Sequence, residues 1–473
     1  MVRAAAGAGA VTASAGVTTA APSLLVYTPA GLGPGARVGE PAAVSSSGMR
    51  RAGCAVVVFA LLLASPAAAQ SSACTPLGQA TFVRDTLEEL YLWYRDLPEL
   101  DPADVGSPEE YLERTRLRPL DAAFSYITSR AADEAFYSES QFIGLGLSTA
   151  TVAGELRVLQ VFEGSPAAEA GLDRGSRIDT IDGQSVSALI AEGRIDGAFG
   201  PAEVGRAVAL TFVTRGGEAR AATPRKRPVT IPTVSLTRVF VVDGRTVGYL
   251  FFRNFVRPSV AALDEAFAAL ETAGVQELVL DLRYNGGGLV DVARHLAGLI
   301  GGPSLRDQVF AESRHNDRNR RWNQTLRFGG AASSLRLARL VVIATRASAS
   351  ASELLINGLT PFLPVVVVGD RTYGKPVGQY VLPFCDKVFA PVAFSMVNAN
   401  GQGDYFDGLP VDCAAADDIG HELGSPDEAS LAAALDFIGT GGCQTPAGRV
   451  GARAVSRERV VRATGWRALI NAQ

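Results

Sequence analysis

The sequence predicts an α/β protein whose central sheet is mostly parallel. Three runs rich in Val, Leu and Ile have the length and composition of fully buried strands, at residues 277–282, 340–344 and 365–368. A further strand is predicted at residues 247–252, so helical patterns stand between strands at residues 260–270 and 354–359. Strands that alternate with helices indicate βαβ crossovers, and these predict a mostly parallel sheet with crossover helices on its faces.

Length and charge set the broad class. A chain of 473 residues corresponds to about three domains and can bury a large core. The net charge of −4 provides no basic surface of the kind that binds nucleic acid, so we expect no nucleic-acid partner.

The beginning of the chain predicts export. Residues 1–48 are low-complexity, which suggests that Met49 is the true start. Residues 49–69 have a basic start, a short apolar run and small residues before a cleavage site after Ala69, as in a secretory signal peptide. Because the apolar run is too short to span a membrane, we expect a soluble periplasmic or extracellular protein.

Cysteine usage agrees with export, since Cys54 would leave with the signal peptide and an even number would remain. Two disulfides among four cysteines have three connectivities, and four unpaired cysteines are the alternative. We favour Cys385 with Cys413 and Cys74 with Cys443.

Two regions precede the α/β core. Residues 76–138 predict a small helical segment with an apolar, core-facing stripe, in which nothing suggests catalysis. Residues 139–228 predict a β-rich domain of short strands and glycine turns. The core then covers residues 229–440, and residues 441–473 predict a basic, solvated tail without an assigned role.

The stretch from Leu337 to Tyr380 carries the candidate chemistry. Ser350 lies where a predicted strand turns into a helix, and Lys375 lies in the loop after the next strand. If these strands are neighbours, a hydroxyl and an amine meet at the edge where open α/β sheets carry their sites. A desolvated lysine can activate a serine nucleophile, which requires a pKa shift of roughly 3.4 units for half-neutral lysine at pH 7.

Three other interpretations compete for these residues. Ser350-x-x-Glu353 fits a capping box, in which the serine only begins a helix. Residues 369–375 match GxxxxGK of a phosphate-binding loop, although Pro376 follows where that loop needs a hydroxyl, so we expect no nucleotide. The histidines could supply a different base; they are His295, His315 and His421.

Two strings in this stretch, ASASASE and TYGKPVGQ, resemble the active-site segments of the carboxyl-terminal processing (tail-specific) proteases, a family of Ser-Lys peptidases. The resemblance assigns the nucleophile to Ser350, the general base to Lys375 and an assisting role to Gln379. The chain departs from the family at Thr360-Pro361, where many members have Gln-Asp, so a dyad assisted by Gln379 is the version that we predict.

The resemblance extends to the glycine turn and to the β-rich domain. Residues 281–288, DLRYNGGG, resemble the family segment whose glycine amide forms half of an oxyanion hole, which assigns the donors to the amides of Gly288 and Ala351. Residues 164–183 resemble a PDZ signature, with Ser176 in place of the usual aspartate. A PDZ domain would receive a polypeptide tail by strand addition near its glycine-containing strand, at Phe142, Ile143, Gly144 and Leu145.

The resemblance covers about residues 76–440 and implies a crotonase/ClpP-like protease core with an inserted PDZ domain and a small N-terminal helical segment. It implies an exported serine endopeptidase that binds the C-terminal tails of polypeptide substrates. This chemistry requires no metal or other cofactor. The alternatives are a non-catalytic PDZ peptide-binding protein on a decayed protease fold and, for the β-rich domain, a plain spacer.

Overall fold

The computed structural model describes residues 73–443, apart from positions 332 and 336. The predicted low-complexity start, signal peptide and most of the predicted tail therefore lie outside the described residues. No helix within the described ranges is long and apolar enough to cross a bilayer.

Serine or threonine followed by proline begins several helices. Thr75 caps the first of them by accepting a hydrogen bond from the Gly78 amide at 3.1 Å, and Ser107 caps the second in the same way. The helices are Pro76–Leu90 (α1), Pro108–Thr115 (α2), Arg130–Glu139 (α3), Pro166–Glu169 (α4), Val186–Ala191 (α5), Ser259–Thr272 (α6), Val290–Gly301 (α7), Ala351–Leu359 (α8) and Ala429–Thr440 (α9).

The strands fall into the N-terminal segment, a β-rich module and the core. In chain order they are Tyr126–Ser129 (β1), Gln141–Gly144 (β2), Leu147–Val152 (β3), Glu155–Val161 (β4), Arg177–Ile181 (β5), Gln184–Ser185 (β6), Leu210–Val213 (β7), Ala219–Ala222 (β8), Arg227–Thr230 (β9), Val234–Val242 (β10), Arg245–Phe252 (β11), Glu277–Asp281 (β12), Val309–His315 (β13), Gln324–Arg327 (β14), Leu340–Ala344 (β15), Val365–Gly369 (β16), Val377–Gln379 (β17), Leu382–Phe384 (β18), Lys387–Ala390 (β19), Val392–Val397 (β20) and Cys413–Ala414 (β21).

The central sheet has the order β10-β11-β12-β15-β16-β21 and is parallel from β11 to β21. Only the edge strand β10 runs antiparallel, against β11. Helices α6, α7 and α8 cover one face with apolar side chains, and α9 covers the other. The prediction of a mostly parallel sheet with crossover helices is therefore confirmed, because strands buried on both faces read as continuous apolar runs.

A second, antiparallel sheet with the order β14-β13-β20-β17 lies beyond α8. Its strand β17 begins at Val377, directly after the loop of Lys375. A small sheet, β1-β19-β18, joins the N-terminal segment to the core. Helices α1 and α2 pack there in a shared apolar cluster with Phe384, Phe389 and Val392.

The β-rich module occupies the region between Ser140 and Ile231. These two residues exchange hydrogen bonds where the chain enters and leaves, with the Ser140 hydroxyl and the Ile231 amide each donating to the other residue's carbonyl at 2.7 Å. The module contains the sheet β3-β4-β5-β7-β8 and its own apolar core. It is inserted between α3 and the central sheet.

The cysteine pairing that we favoured from the sequence is wrong. The structure pairs Cys74 with Cys385 and Cys413 with Cys443, at Cα–Cα distances of 5.8 and 5.3 Å. Cys385 lies in the turn between β18 and β19, against which the start of α1 packs, whereas Cys413 lies in the sheet beside the end of α9. Tertiary packing therefore separates Cys385 from Cys413.

Replacing Cys74 and Cys385 together by serine is expected to lower the free energy of unfolding by about 2 kcal/mol more than replacing Cys413 and Cys443, because the two bonds close loops of 311 and 30 residues. Urea denaturation of both double variants measures the difference. Equal losses would contradict the loop-length argument, and a non-reduced peptide map that joins Cys385 to Cys413 would contradict the pairing.

Candidate active site

Ser350 lies at the turn from β15 into α8, in a backbone conformation that serine rarely adopts. Its φ is 55° and its ψ is −112°, a combination that costs of order 1–3 kcal/mol and is found mainly where function requires it. Ser350 caps α8, and the capping box with Glu353 is formed. Ser350 is therefore both the N-cap of α8 and the candidate nucleophile.

The three serines of ASASASE have different environments. Ser348 and Ser352 are fully buried. Their hydroxyls donate to the carbonyls of Leu282 and Asn285 at 2.7 and 2.8 Å, so both hold the turn in place. Ser350 alone of the three is partly exposed, where a substrate could reach it.

Lys375 is placed by the parallel pairing of β15 with β16, which brings the loops after both strands to the same edge of the sheet. Its side chain is only 6% exposed. Burial lowers the pKa of Lys375 to about 8, against the attraction of Asp121 and Glu353, which favours the charged form. A substantial share of this amine is therefore neutral near physiological pH.

Gln379 orients the lysine side chain. Lys375 Nζ donates to Gln379 Oε1 at 2.6 Å. The Gln379 amide group in turn donates to the carbonyls of Ala390, at 3.1 Å, and of Phe124. The two carbonyls fix which end of the amide faces the lysine.

The N-terminal segment contributes directly to the surroundings of Lys375, which sequence reasoning missed. The Phe124 ring lies 5.6 Å from Lys375 Nζ, and the charge of Asp121, like that of Glu353, favours the protonated amine of Lys375. Asp121 is itself held by Tyr91 and Ser125 at 2.9 and 2.6 Å. No local pattern reveals that Asp121 and Phe124 lie near Lys375, because they are about 250 residues from it in the chain.

Glu353 binds the loops of both candidate residues. Its Oε2 accepts from the amides of Ser350 and Lys375, each at 2.8 Å. Its Oε1 accepts from Thr372 Oγ1 at 2.6 Å and from the Gly374 amide at 2.7 Å. Burial raises the pKa of this fully buried carboxyl, and the four donors oppose the rise. The sequence predicted only the cap, whereas this carboxyl also fixes the loop of the lysine.

The glycine turn after β12 lies against Ser350. Gly287 has a φ of 99°, and a Cβ on it would come within 2.8 Å of both Ser350 Cβ and the Ala351 amide nitrogen. Only glycine allows this approach. Asn285 ties the turn to the serine loop, because its carbonyl accepts from the Ala349 amide at 3.1 Å and from Ser352.

The predicted oxyanion donors, the amides of Gly288 and Ala351, lie next to the contact between Gly287 and Ser350. Gly288 comes next in the turn and is partly exposed, and Ala351 is the first residue of α8. A helix N-terminal amide and a neighbouring loop amide are a common arrangement for stabilising developing negative charge. Their role stays a prediction.

The residues predicted to receive a tail lie at the start of the β-rich module. Phe142, Ile143 and Gly144 belong to β2, which pairs with β9. Phe142 and Leu145 are buried, and Ile143 is partly exposed. This places the four residues together on one strand and the turn after it, while peptide binding there stays a prediction.

The residues behind the competing interpretations have other hydrogen-bond partners in the structure. His295 pairs with Asp264 at 2.7 Å, His421 pairs with Asp418, and His315 bonds to Tyr380. In the GxxxxGK segment the amides of Gly374 and Lys375 already donate to Glu353, and β17 follows instead of a helix. These amides cannot also hold a phosphate.

The substitution Glu353→Gln is expected to destabilise the fold by at least about 2 kcal/mol, because an amide cannot accept four hydrogen bonds and its NH₂ group would face backbone donors. Urea denaturation provides the test, with the half-exposed Glu312→Gln as the control. An unfolding midpoint equal to that of the control would contradict the role assigned to Glu353.

Comparison with known proteins agrees with this geometry. Residues 246–412 match peptidase family S41, and residues 78–126 match the peptidase S41 N-terminal domain. A crystal structure of a protein assigned to the S41 proteases, from Bacteroides fragilis, superposes with a TM-score of 0.62 at 26% identity, covering 76% of this chain and 96% of that chain.

Related sequences include the carboxy-terminal-processing protease of Bartonella bacilliformis, which is 27% identical over 278 residues, 56% of this chain and 60% of that protein. The chloroplastic C-terminal processing peptidase of Tetradesmus obliquus is 29% identical over 265 residues, 51% of this chain and 53% of that protein. The match thus spans a little over half the length of these relatives. The chain thus contains regions that match the peptidase S41 domain and the S41 N-terminal domain, and it is similar to the carboxy-terminal processing proteases.

Proposed function

We propose that the chain is an exported serine endopeptidase that cleaves polypeptides with a Ser350–Lys375 dyad. The observation that carries this proposal is the state of Lys375, whose amine is buried, directed by Gln379 and given a pKa of about 8. At pH 7.4 such a group is about 20% neutral, whereas an unperturbed lysine is neutral in roughly one molecule in a thousand. A buried neutral amine is the form that can accept a proton.

In this mechanism Lys375 Nζ donates to Gln379 Oε1 and keeps its lone pair for the Ser350 hydroxyl. Lys375 takes the hydroxyl proton as Ser350 Oγ attacks the scissile carbonyl, and the ammonium then gives that proton to the leaving amine. Water hydrolyses the acyl-enzyme, with Lys375 again acting as the base. The amides of Gly288 and Ala351 stabilise the oxyanion in both steps.

Glu353 supports this chemistry from behind. Its Oε2 accepts hydrogen bonds from the amides of both Ser350 and Lys375, so a movement of either loop would weaken the hydrogen bonds that hold the other. Its negative charge also opposes complete loss of the ammonium form, which keeps the pKa of Lys375 near working pH.

For substrates, we propose polypeptides with accessible C-terminal tails, bound by the β-rich module acting as a PDZ domain. The support is the glycine-containing strand at Ile143 and Gly144, the PDZ-like sequence at residues 164–183, and relatives named for processing carboxyl termini. The cysteine pairs within this chain fit an oxidising compartment, which supports export to the periplasm or the extracellular space.

A non-catalytic peptide-binding protein is the second candidate. It requires that the Ser350 and Lys375 loops persist without activity. The strained backbone of Ser350 and the burial of Lys375 argue against it. Both lower the stability of the fold, and a protein without activity would gain nothing in return.

The substitutions Ser350→Ala and Lys375→Met are each expected to reduce cleavage of an unfolded reporter protein by at least about 10³-fold. Lys375→Met should also be at least as stable as the parent at pH 7. Below its lowered pKa of about 8, the protonated lysine destabilises the folded protein by up to roughly 3 kcal/mol, and methionine removes this cost. Reporter cleavage and urea denaturation at pH 7 provide the two measurements.

The matched control is Lys387→Met, which removes a lysine paired with Glu109 on the surface and should leave cleavage unchanged. A parent without activity would favour the peptide-binding alternative. Full activity in Lys375→Met would refute the dyad.

A further inference from the structure

Arg174 extends from the β-rich module into the core. It lies between α4 and β5 and is only 4% exposed. Its Nη1 donates within the module to the Leu159 carbonyl at 2.8 Å and across to the hydroxyl of Tyr284 at 2.5 Å. Its Nη2 donates to Asp417 Oδ1 at 2.7 Å, and its Nε donates to the His421 carbonyl at 3.0 Å. One guanidinium thus joins the module to two parts of the core.

Tyr284 and Asp417 form a closed set with this arginine. The Tyr284 hydroxyl accepts from Arg174 and donates to Asp417 Oδ2 at 2.5 Å. Burial alone would raise the pKa of Asp417, but Arg174 and Arg283 outweigh burial and hold it below its ordinary value. Arg283 is shared with Glu428 and Asp281 in a fully buried ion-pair network. Removing Arg174 would leave the Asp417 carboxylate with a single cation.

Tyr284 connects Arg174 and Asp417 to the glycine turn beside Ser350. It immediately precedes Asn285, whose side chain accepts from the Gly287 amide at 2.9 Å and whose carbonyl holds the serine loop. The turn from Tyr284 to Gly288 is thus held at one end by the module's arginine and at the other by the contact of Gly287 with Ser350. Because Tyr284 and Asn285 are adjacent, we expect a shift of the tyrosine to move the peptide groups that follow it in the turn.

We propose that Arg174 is a positioning residue for catalysis, which holds the glycine turn so that the Gly288 amide points at the developing oxyanion. This inference rests on the proposed peptidase function. The β-rich module then has a second role besides binding a tail, because its Arg174 holds the glycine turn of the core. Arg174 acts through Tyr284 and does not contact the reacting atoms.

The test compares Arg174→Met with Tyr284→Phe in the full chain from residue 70, using cleavage of an unfolded reporter protein. Each is expected to lower kcat by about 10²-fold with little change in KM, because a misplaced donor weakens the transition state more than substrate binding. The double variant should be no slower than either single variant, since both variants lose the same hydrogen bond between Arg174 and Tyr284. Arg174→Lys, which retains the charge and a donor, should recover part of the loss.

The matched control is Arg215→Met. Arg215 also joins the module to the core, through Glu422 at 2.6 Å, but no contact of this pair includes Tyr284. A loss of kcat in Arg215→Met equal to that in Arg174→Met would show that docking alone matters and would overturn the proposal. Additive losses in the double variant would also overturn it. A parent that cleaves nothing would instead refute the proposed function itself. The phenylalanine variant retains the ring and keeps the test valid if Arg174→Met fails to fold.

Discussion

The buried carboxylate of Glu353 holds the loops of Ser350 and Lys375 together. It accepts four hydrogen bonds, including those from the amides of Ser350 and Lys375. A carboxylate without water must have every oxygen lone pair used, or its burial becomes very costly. The two loops therefore have to meet around it. The parallel pairing of β15 with β16 brings them to the same edge, and the carboxylate fixes their distance and orientation.

Desolvation of Lys375 is the second constraint, and the N-terminal segment contributes to it together with the core. Phe124 provides both a ring near the amine and a carbonyl for Gln379, while Ala390 provides the other carbonyl. These groups are held together by the small sheet of β1 with β19 and by the bond of Cys74 to Cys385. The N-terminal segment is thus part of the environment of Lys375 and not merely a cap on the core.

Sequence reasoning predicted what depends on local patterns. The apolar runs of the parallel strands, the turn at Ser350 and the loop of Lys375 all lie where expected, because burial on both faces and strand order determine them. The cysteine pairing was wrong and Phe124 was missed, because the Cys74–Cys385 bond and the contact of Phe124 with Gln379 join residues more than 250 positions apart. Glu353 was visible as a helix cap, but its bonds to Gly374 and Lys375 required the fold.

The proposed chemistry requires that the fold keep Lys375 partly neutral near working pH. The chain has three lysines, Lys226, Lys375 and Lys387, so ¹³C labelling of lysine gives few side-chain signals to assign. NMR titration of this sample, with Lys375→Arg for assignment, measures the pKa directly. We predict a midpoint of about 8, with kcat/KM rising through the same pH as the amine loses its proton. A midpoint near the ordinary lysine value of about 10.4 would contradict the account.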